Sequence, residues 1–343
     1  MPADLHQSFR VDPAELPREE VIFGSTPAMR EVRGRIDRVL CCDLPVLLQG
    51  ERGTGKDLVA RFLHAKSNRR RGPFVKLSCA SLPQRLLEAE LLGCEAGTAS
   101  SSNEIKPGLL EIAEGGTLFL DEVGEVGLAL QRKLLFLLRE GRYFRVGGRE
   151  ERQAKVRIVC ATNVQLTAAV KKGAFRQDLF DHIDVMRFDL LPLRERKEDI
   201  PQLWEFFAGK LAKKFGETAP RLTPAVLRVL DQWEWPGNLL ELESCIARIM
   251  ILGDEEGICE QLRRQAAFVS AGDGGAGKGN IVKSILQGAA PEAAILQVLQ
   301  AYRYGQRKTN EELKRSYRPP LYRLKKIAGS QRPRRRPRFP RPE

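Results

Sequence analysis

The stretch that most limits how this chain can fold is Gly50-Glu51-Arg52-Gly53-Thr54-Gly55-Lys56-Asp57, because of what flanks it. The apolar run Pro45-Val-Leu-Leu-Gln49 leads in, and residues 56–65 lead out with helical spacing. A buried strand that passes through three glycines into a helix predicts a parallel sheet with helices returning over it. The same geometry suits an anion. Glycines let the backbone wrap a phosphate with its N–H groups inward, a lysine neutralises β- and γ-phosphate charge, and the helix N-terminus adds partial positive charge. All eight residues are therefore candidate ATP contacts. The strict pattern places Ser or Thr after the lysine to hold magnesium, and Asp57 stands there instead. A plain glycine turn with an incidental lysine is the competing reading.

The alternation continues downstream. Residues 74–77 (FVKL) read as a strand, 86–92 as a helix, and 117–121 (TLFLD) and 156–160 (VRIVC) as two more buried strands. After Pro192 the strand signals stop. Residues 203–215, 224–232 and 239–252 have helical spacing, and Thr223-Pro224 supplies an N-cap with proline at the first helical position. Residues 271–279 (AGDGGAGKG) form a glycine-rich linker, and the end of the chain alternates Pro and Arg, a composition that reads as extended or disordered.

Two further strand ends carry chemistry. The strand at 117–121 ends in Asp121-Glu122, about 65 residues beyond the loop. The first carboxylate there can hold magnesium, directly or through water, as Asp57 can, and the second can polarise an attacking water. A helix-capping pair would look similar in isolation. Asn163 closes the next strand in Val159-Cys-Ala-Thr-Asn163, where an amide can orient water or sense the γ-phosphate; a turn asparagine would look the same.

With these residues in hand, the chain resembles the AAA+ domain of bacterial enhancer-binding proteins, the activators of sigma-54 RNA polymerase. The matching stretches are GSTPAMREV (24–32), GERGTGKD (50–57), ELLGCEAG (90–97), GGTLFLDEV (115–123), CATN (160–163), FRQDLF (175–180), LPLRERKEDIP (191–201) and WPGN (235–238), spanning about two thirds of the chain. In that family an acidic residue commonly follows the loop lysine, as Asp57 does. The resemblance implies an α/β nucleotide-binding subdomain with helices on both faces of a parallel sheet, a helical lid, and a homo-oligomeric ring with ATP between subunits. It also implies that Lys56 binds phosphate, Asp121 and Glu122 serve magnesium and water, Asn163 is a sensor, and Arg176 reaches a neighbour's ATP.

Four positions depart from the family pattern. The polymerase-contacting loop GAFTGA is replaced by Gly97-Thr-Ala-Ser-Ser-Ser102. Ser78 stands where an asparagine restrains the catalytic glutamate, His182 replaces a second arginine finger, and Leu240 replaces a lid arginine. An arginine finger is worth roughly 10³–10⁵ in rate. The expectation is that ATP is held while hydrolysis is weak or absent and contact with sigma-54 is in doubt.

Charge is placed unevenly. Residues 302–343 hold 15 Lys and Arg against 3 acids, which accounts for nearly all of the net +13. A near-neutral body with a cationic end suits an anionic partner such as DNA. Residues 293–299 and 316–329 resemble the first and recognition helices of a Fis-like helix-turn-helix, with Arg318, Tyr322 and Arg323 as candidate DNA contacts. Pro319-Pro320 and the polar Thr309, Asn310 and Glu312 erode that pattern, so a solvated basic helix remains open. The expected layout is a tail (1–20), the α/β subdomain (21–192), the lid (193–265), a linker (266–290), the helix-turn-helix (291–329) and a basic tail (330–343). No apolar run reaches the ~18 residues of a membrane span, and no secretory signal opens the chain. Seven cysteines without a CxxC pair predict no disulfide framework or zinc site, with even Cys41-Cys42 buried rather than reactive, and a cytoplasmic setting. The function read from sequence is an ATP- and DNA-binding transcription regulator. The alternatives are a nucleotide-binding interaction protein and an AAA+ remodelling ATPase of another type.

Overall fold

The structure is a computed structural model that describes Val11 and residues 16–97, 105–253 and 255–271. The 98–102 stretch, the linker from 272, the helix-turn-helix with Arg318, Tyr322 and Arg323, the basic tail, and residues 1–10 and 12–15 of the N-terminal tail lie outside the described residues.

Five parallel strands form the central sheet: β1 (Val46–Gln49), β2 (Phe74–Ser78), β3 (Thr117–Asp121), β6 (Arg157–Thr162) and β7 (Met186–Asp189), in the order β2-β3-β6-β1-β7. Because side chains alternate along a strand, β1, β2, β3 and β6 each feed two cores, and the edge strand β7 feeds one. Leu47, Leu77, Leu118, Leu120, Ile158 and Cys160 enter one. Val46, Leu48, Phe74, Phe119, Val159, Ala161 and Phe188 enter the other. The first core is closed by α4 (Gln84–Leu92), α5 (Leu109–Ile112), α6 (Leu128–Glu140), α7 (Leu166–Lys171) and α8 (Gln177–Ile183). The second is closed by α1 (Glu19–Phe23), α2 (Pro27–Val39) and α3 (Lys56–Lys66). Burial on both faces explains why the central strands read as apolar runs rather than alternating patterns. The expected helix-covered parallel sheet is the observed one.

Local signals explain the helices. In α2 a proline opens the first turn, and Met29, Val32, Ile36 and Val39 line one buried face. Its C-terminal carbonyls are met by a buried side chain from the sheet: Arg157 donates to the Val39 oxygen at 2.8 Å and to the Leu40 oxygen at 3.2 Å. Two elements escape the apolar-run reading. Strand β7 is an edge strand whose charged Arg187 and Asp189 pair with each other on the surface. The antiparallel hairpin of β4 (Arg142–Phe144) and β5 (Glu151–Gln153) buries little beyond Tyr143.

The lid contains α9 (Ile200–Phe215), α10 (Pro224–Gln232), α11 (Asn238–Leu252) and α12 (Glu255–Ala271). Its core holds Trp204, Trp233 and Trp235 with Leu203, Phe207, Leu230, Leu242 and Ile246. Thr223 caps α10 as expected, accepting from the Val226 N–H. Glu241 folds back to the start of its own helix, taking the Gly237 N–H at 2.7 Å and the Trp233 indole N–H at 2.8 Å. Burial pushes its carboxyl pKa up against both hydrogen bonds.

Two expectations need correction. Helix α12 continues through residues 266–271, where the linker is expected to start; no Gly or Pro lies between Gly257 in its first turn and Gly272. Cys41 is exposed and Cys42 half-buried, because the pair sits in the turn after α2; the other five cysteines are buried thiols. Among the described residues no helix is long and apolar enough to cross a membrane.

Candidate functional site

The glycine loop sits where the strand–helix reading put it, at the carboxyl end of β1. Gly53 and Gly55 have φ of +82° and +101°, a region that disfavours side chains. Gly53 also has no room for one, since a Cβ would stand 2.3 Å from the Gly237 oxygen. Gly55 is the N-cap of α3, and no side chain caps that helix, so its first N–H groups face the loop's hollow uncapped. Thr54 is buried and donates its hydroxyl to the Glu51 oxygen at 2.9 Å, pinning the turn. Lys56 is also buried, with Nζ donating to the oxygens of Gly50 (2.8 Å) and Glu51 (3.0 Å). Burial lowers its pKa, opposed by the negative charges of Glu122 and Asp121.

Those carboxylates arrive from β3. Ser78 on β2 pairs in register with Asp121, so the residue in the restraining position lies beside the acid pair. Glu122 takes a left-handed φ of +58°, uncommon for a residue with a side chain, and its Oε2 accepts the Asn163 N–H at 3.0 Å. Asn163 itself is exposed at the end of β6. Asp57 receives Arg61 Nε on one oxygen and Lys76 Nζ on the other, both at 2.8 Å. Burial would raise the Asp57 pKa, but Lys76 and Arg61 outweigh it and hold it below the ordinary carboxylate value. Lys76 also lies 3.0 Å from Asp121 Oδ2. Burial alone would lower its pKa, yet Asp57 and Asp121 together carry it above the usual lysine value. Lys76 was not legible as a site residue; its only signal is a lone cation at the third position of the apolar strand FVKLS.

The opposite flank of the loop is held by the lid. Arg194 makes a two-pronged pair with Glu51, at 2.9 and 2.6 Å. Arg196, buried, donates Nη2 to the Thr54 oxygen at 2.8 Å, and burial lowers its pKa against the charge of Asp199. Asp199 in turn accepts the backbone N–H and hydroxyl of Ser25. Asn238 donates to the Arg52 oxygen at 2.9 Å and accepts the Leu193 N–H at 2.7 Å. The Leu239 N–H reaches the Gly53 oxygen at 3.0 Å. Arg194 and Arg196 thus join the lid to the loop directly. Next to Leu239, Leu240 is 54% exposed on α11, so the position of the family's lid arginine carries an apolar side chain.

Arg176 is placed apart from this cluster. It precedes α8, its backbone N–H donates to the buried Gln131 Oε1, and its guanidinium pairs with Asp178. His182, one turn along α8, donates Nδ1 to the Asp178 oxygen. The structure thus gathers Gly50, Glu51, Arg52, Gly53, Thr54, Gly55, Lys56, Asp57, Asp121, Glu122 and Asn163 at the carboxyl ends of β1, β3 and β6, and leaves Arg176 with partners of its own.

The donor set suits magnesium only together with a nucleotide. Among the described residues no three His, Cys, Asp or Glu side chains converge, so there is no all-protein metal cage. Magnesium does not need one, since it is usually held by one or two carboxylates plus substrate phosphates and water. Asp57 and Asp121 already share one cation, the Lys76 ammonium, so their oxygens converge closely enough for a second kind of cation. The residues present fit a nucleotide with its metal.

Comparison with known proteins agrees with this geometry. Residues 22–189 match the family described as the sigma-54 interaction domain, and residues 194–268 match the AAA+ ATPase lid domain. The Nif-specific regulatory protein of Azotobacter vinelandii is 46% identical over 237 residues, which is 69% of this chain and 45% of that protein. The regulatory protein AtoC of Escherichia coli K12 is 41% identical over 231 residues, 67% of this chain and 50% of that one. Among solved structures, NtrX from Brucella abortus in complex with ATP superposes with a TM-score of 0.64 at 36% identity, covering 70% of this chain and 51% of NtrX. The chain spans about half the length of the curated relatives it matches. Its described body is therefore an AAA+ module of the sigma-54 interaction family, with the helical lid that accompanies it.

Proposed function

We propose that this chain is an ATP-binding, DNA-binding transcription regulator of the enhancer-binding class. The observation that carries the reading is the convergence of the Lys56 loop with Asp57, Asp121 and Glu122 at the carboxyl ends of β1 and β3. The loop's backbone N–H groups and the start of α3 would hold the phosphates, with Lys56 leaving its two carbonyl partners for them. Asp57 and Asp121 would hold magnesium, which when bound neutralises charge on the β- and γ-phosphates. Glu122 and Asn163 would place water, and Arg176 would leave Asp178 to reach a neighbouring subunit's nucleotide in a ring. NtrX, which is similar to this chain, has been solved with ATP, which supports the choice of nucleotide. The basic residues from 302 onward, Arg318, Tyr322 and Arg323 among them, would engage DNA through a helix-turn-helix at 291–329. The layout read from sequence, with the α/β subdomain at 21–192 and the lid beginning at 193, is part of the same proposal.

Exposed Leu240 favours a second reading of the cycle, in which ATP is bound but turned over weakly or not at all. Ser78 beside Asp121 and His182 on α8 point the same way. Sigma-54 contact is the least supported element, since the GAFTGA position is substituted.

Calorimetry with ATP tests the reading. Wild type should bind, and Lys56→Ala should weaken binding about a hundredfold or more, the worth of one or two charge-assisted hydrogen bonds. No binding by wild type would overturn it. Turnover near ~1 s⁻¹ or faster, an ordinary enzyme rate, would overturn the weak-hydrolysis reading. A mobility-shift assay between about 50 and 200 mM salt tests the DNA half, with affinity expected to fall steeply over that range.

A further inference from the structure

We propose that Lys76 is an internal counter-cation of the nucleotide site: its ammonium neutralises Asp57 and Asp121 when no metal is present, and a metal must displace it from Asp121. This rests on the reading of that site as one for a nucleotide with magnesium. Three observations carry it. Lys76 Nζ lies 2.8 Å from Asp57 Oδ1 and 3.0 Å from Asp121 Oδ2, so one cation bridges both carboxylates. Its strand fixes it there, since β2 lies against β3 with Lys76 in register with Phe119, two residues before Asp121, and the ammonium also stands 5.4 Å from the Phe119 ring centre. The second Asp57 oxygen is taken by Arg61, so the bridge is part of a four-residue chain, Arg61–Asp57–Lys76–Asp121, with two cations and two anions.

Charge balance gives the consequence. Without Lys76, Asp57 would keep only Arg61 and Asp121 would lose its ion-pair partner, so a divalent ion would be needed before a nucleotide could settle. With Lys76 in place, the phosphates meet a balanced site and the metal adds little affinity. Two unit charges about 5 Å apart still interact appreciably at a partly buried site, before side chains relax. A tenfold effect on binding is therefore a conservative expectation.

The test is ADP binding by calorimetry, in magnesium and in EDTA, for the full chain. The ratio of the two dissociation constants is read within each variant, so a partly folded sample lowers the stoichiometry and leaves the ratio intact. Wild type should bind ADP with less than about a threefold difference between the buffers. Lys76→Met should lose more affinity in EDTA than in magnesium, raising its ratio about tenfold over wild type. Lys76→Arg, which keeps the charge, should restore the wild-type ratio. Should Lys76→Met fail to fold, Lys76→Gln keeps a polar side chain of similar length and carries the same expectation. A large ratio in wild type, or equal ratios in wild type and the uncharged variant, overturns the role of Lys76 while leaving the nucleotide site standing. No ADP binding by wild type in either buffer overturns the site reading and this proposal with it.

Discussion

The two flanks of the glycine loop are built on different principles. On the sheet flank, ionised side chains answer one another: Lys76 joins Asp57 to Asp121, and Glu122 is parked on a backbone N–H. Asp57, Asp121 and Glu122 are half-buried and Lys76 is exposed, so water reaches these groups and they can exchange partners. On the lid flank, side chains grip the loop's backbone: Arg196 holds the Thr54 oxygen, Asn238 the Arg52 oxygen and the Leu239 N–H the Gly53 oxygen. Arg196 and Asn238 are buried, and their partners are main-chain groups that cannot move without moving the loop. The difference teaches that charge chemistry and mechanical coupling are separable here. A change on the sheet flank should act on ligand affinity, and one on the lid flank on stability and on how the two subdomains move together.

The strongest way to break this division is Arg196→Met. It removes a buried cation and unties Thr54. Losing a buried hydrogen bond made by a charged group costs up to about 3 kcal/mol, and urea unfolding should show it. A loss under about 1 kcal/mol would mean the lid does not hold the loop through this residue.

Asn238 sharpens the comparison, because it combines a left-handed φ of +52° with hydrogen bonds to both subdomains. Asn238→Ala should cost about 2 kcal/mol, from lost hydrogen bonds and backbone strain. Asn238→Gly loses the same bonds without the strain, so it should be the milder by about 1 kcal/mol. Equal losses would show that the conformation contributes nothing.

Acid tests a third region, the packing of α3 on the start of β3 away from the loop, through His64. Burial, reinforced by nearby Arg157, pushes its pKa down from 6.5 to about 4. The unfolded chain therefore takes up the proton first. The stability this group contributes is fully present above the unfolded value and is lost as pH falls toward the folded one, by about 2 kcal/mol between roughly pH 7 and pH 5. His64→Gln should flatten that slope in denaturation curves measured at both values.

The smallest effect belongs to Arg194→Gln. Its pair with Glu51 is two-pronged but partly exposed, and such pairs are worth about 0.5 kcal/mol. A loss above about 2 kcal/mol would move Arg194 into the same class as Arg196.

Legibility followed locality. The loop, the acid pair after β3 and the Thr223 cap could be read because each is written in consecutive residues whose neighbours supply the context. Strand β7 and the hairpin could not, since they are short, charged and stabilised by pairing with other strands. Lys76 looked like one stray cation in an apolar strand.

The sequence by itself determined the helix-covered sheet, the turn into α3 and the residues of the glycine loop, because apolar periodicity and glycine conformations act over a few residues. Only the tertiary structure decided which partners those groups keep. Lys76 meets Asp121 because β2 and β3 are neighbours in register, and Arg196 meets Thr54 across 142 positions of chain because the lid folds back onto the loop. Hydrogen bonds and charge pairs are set by distance in space, and distance in space between remote residues is fixed only when the cores on both faces of the sheet, and the lid's own, have packed.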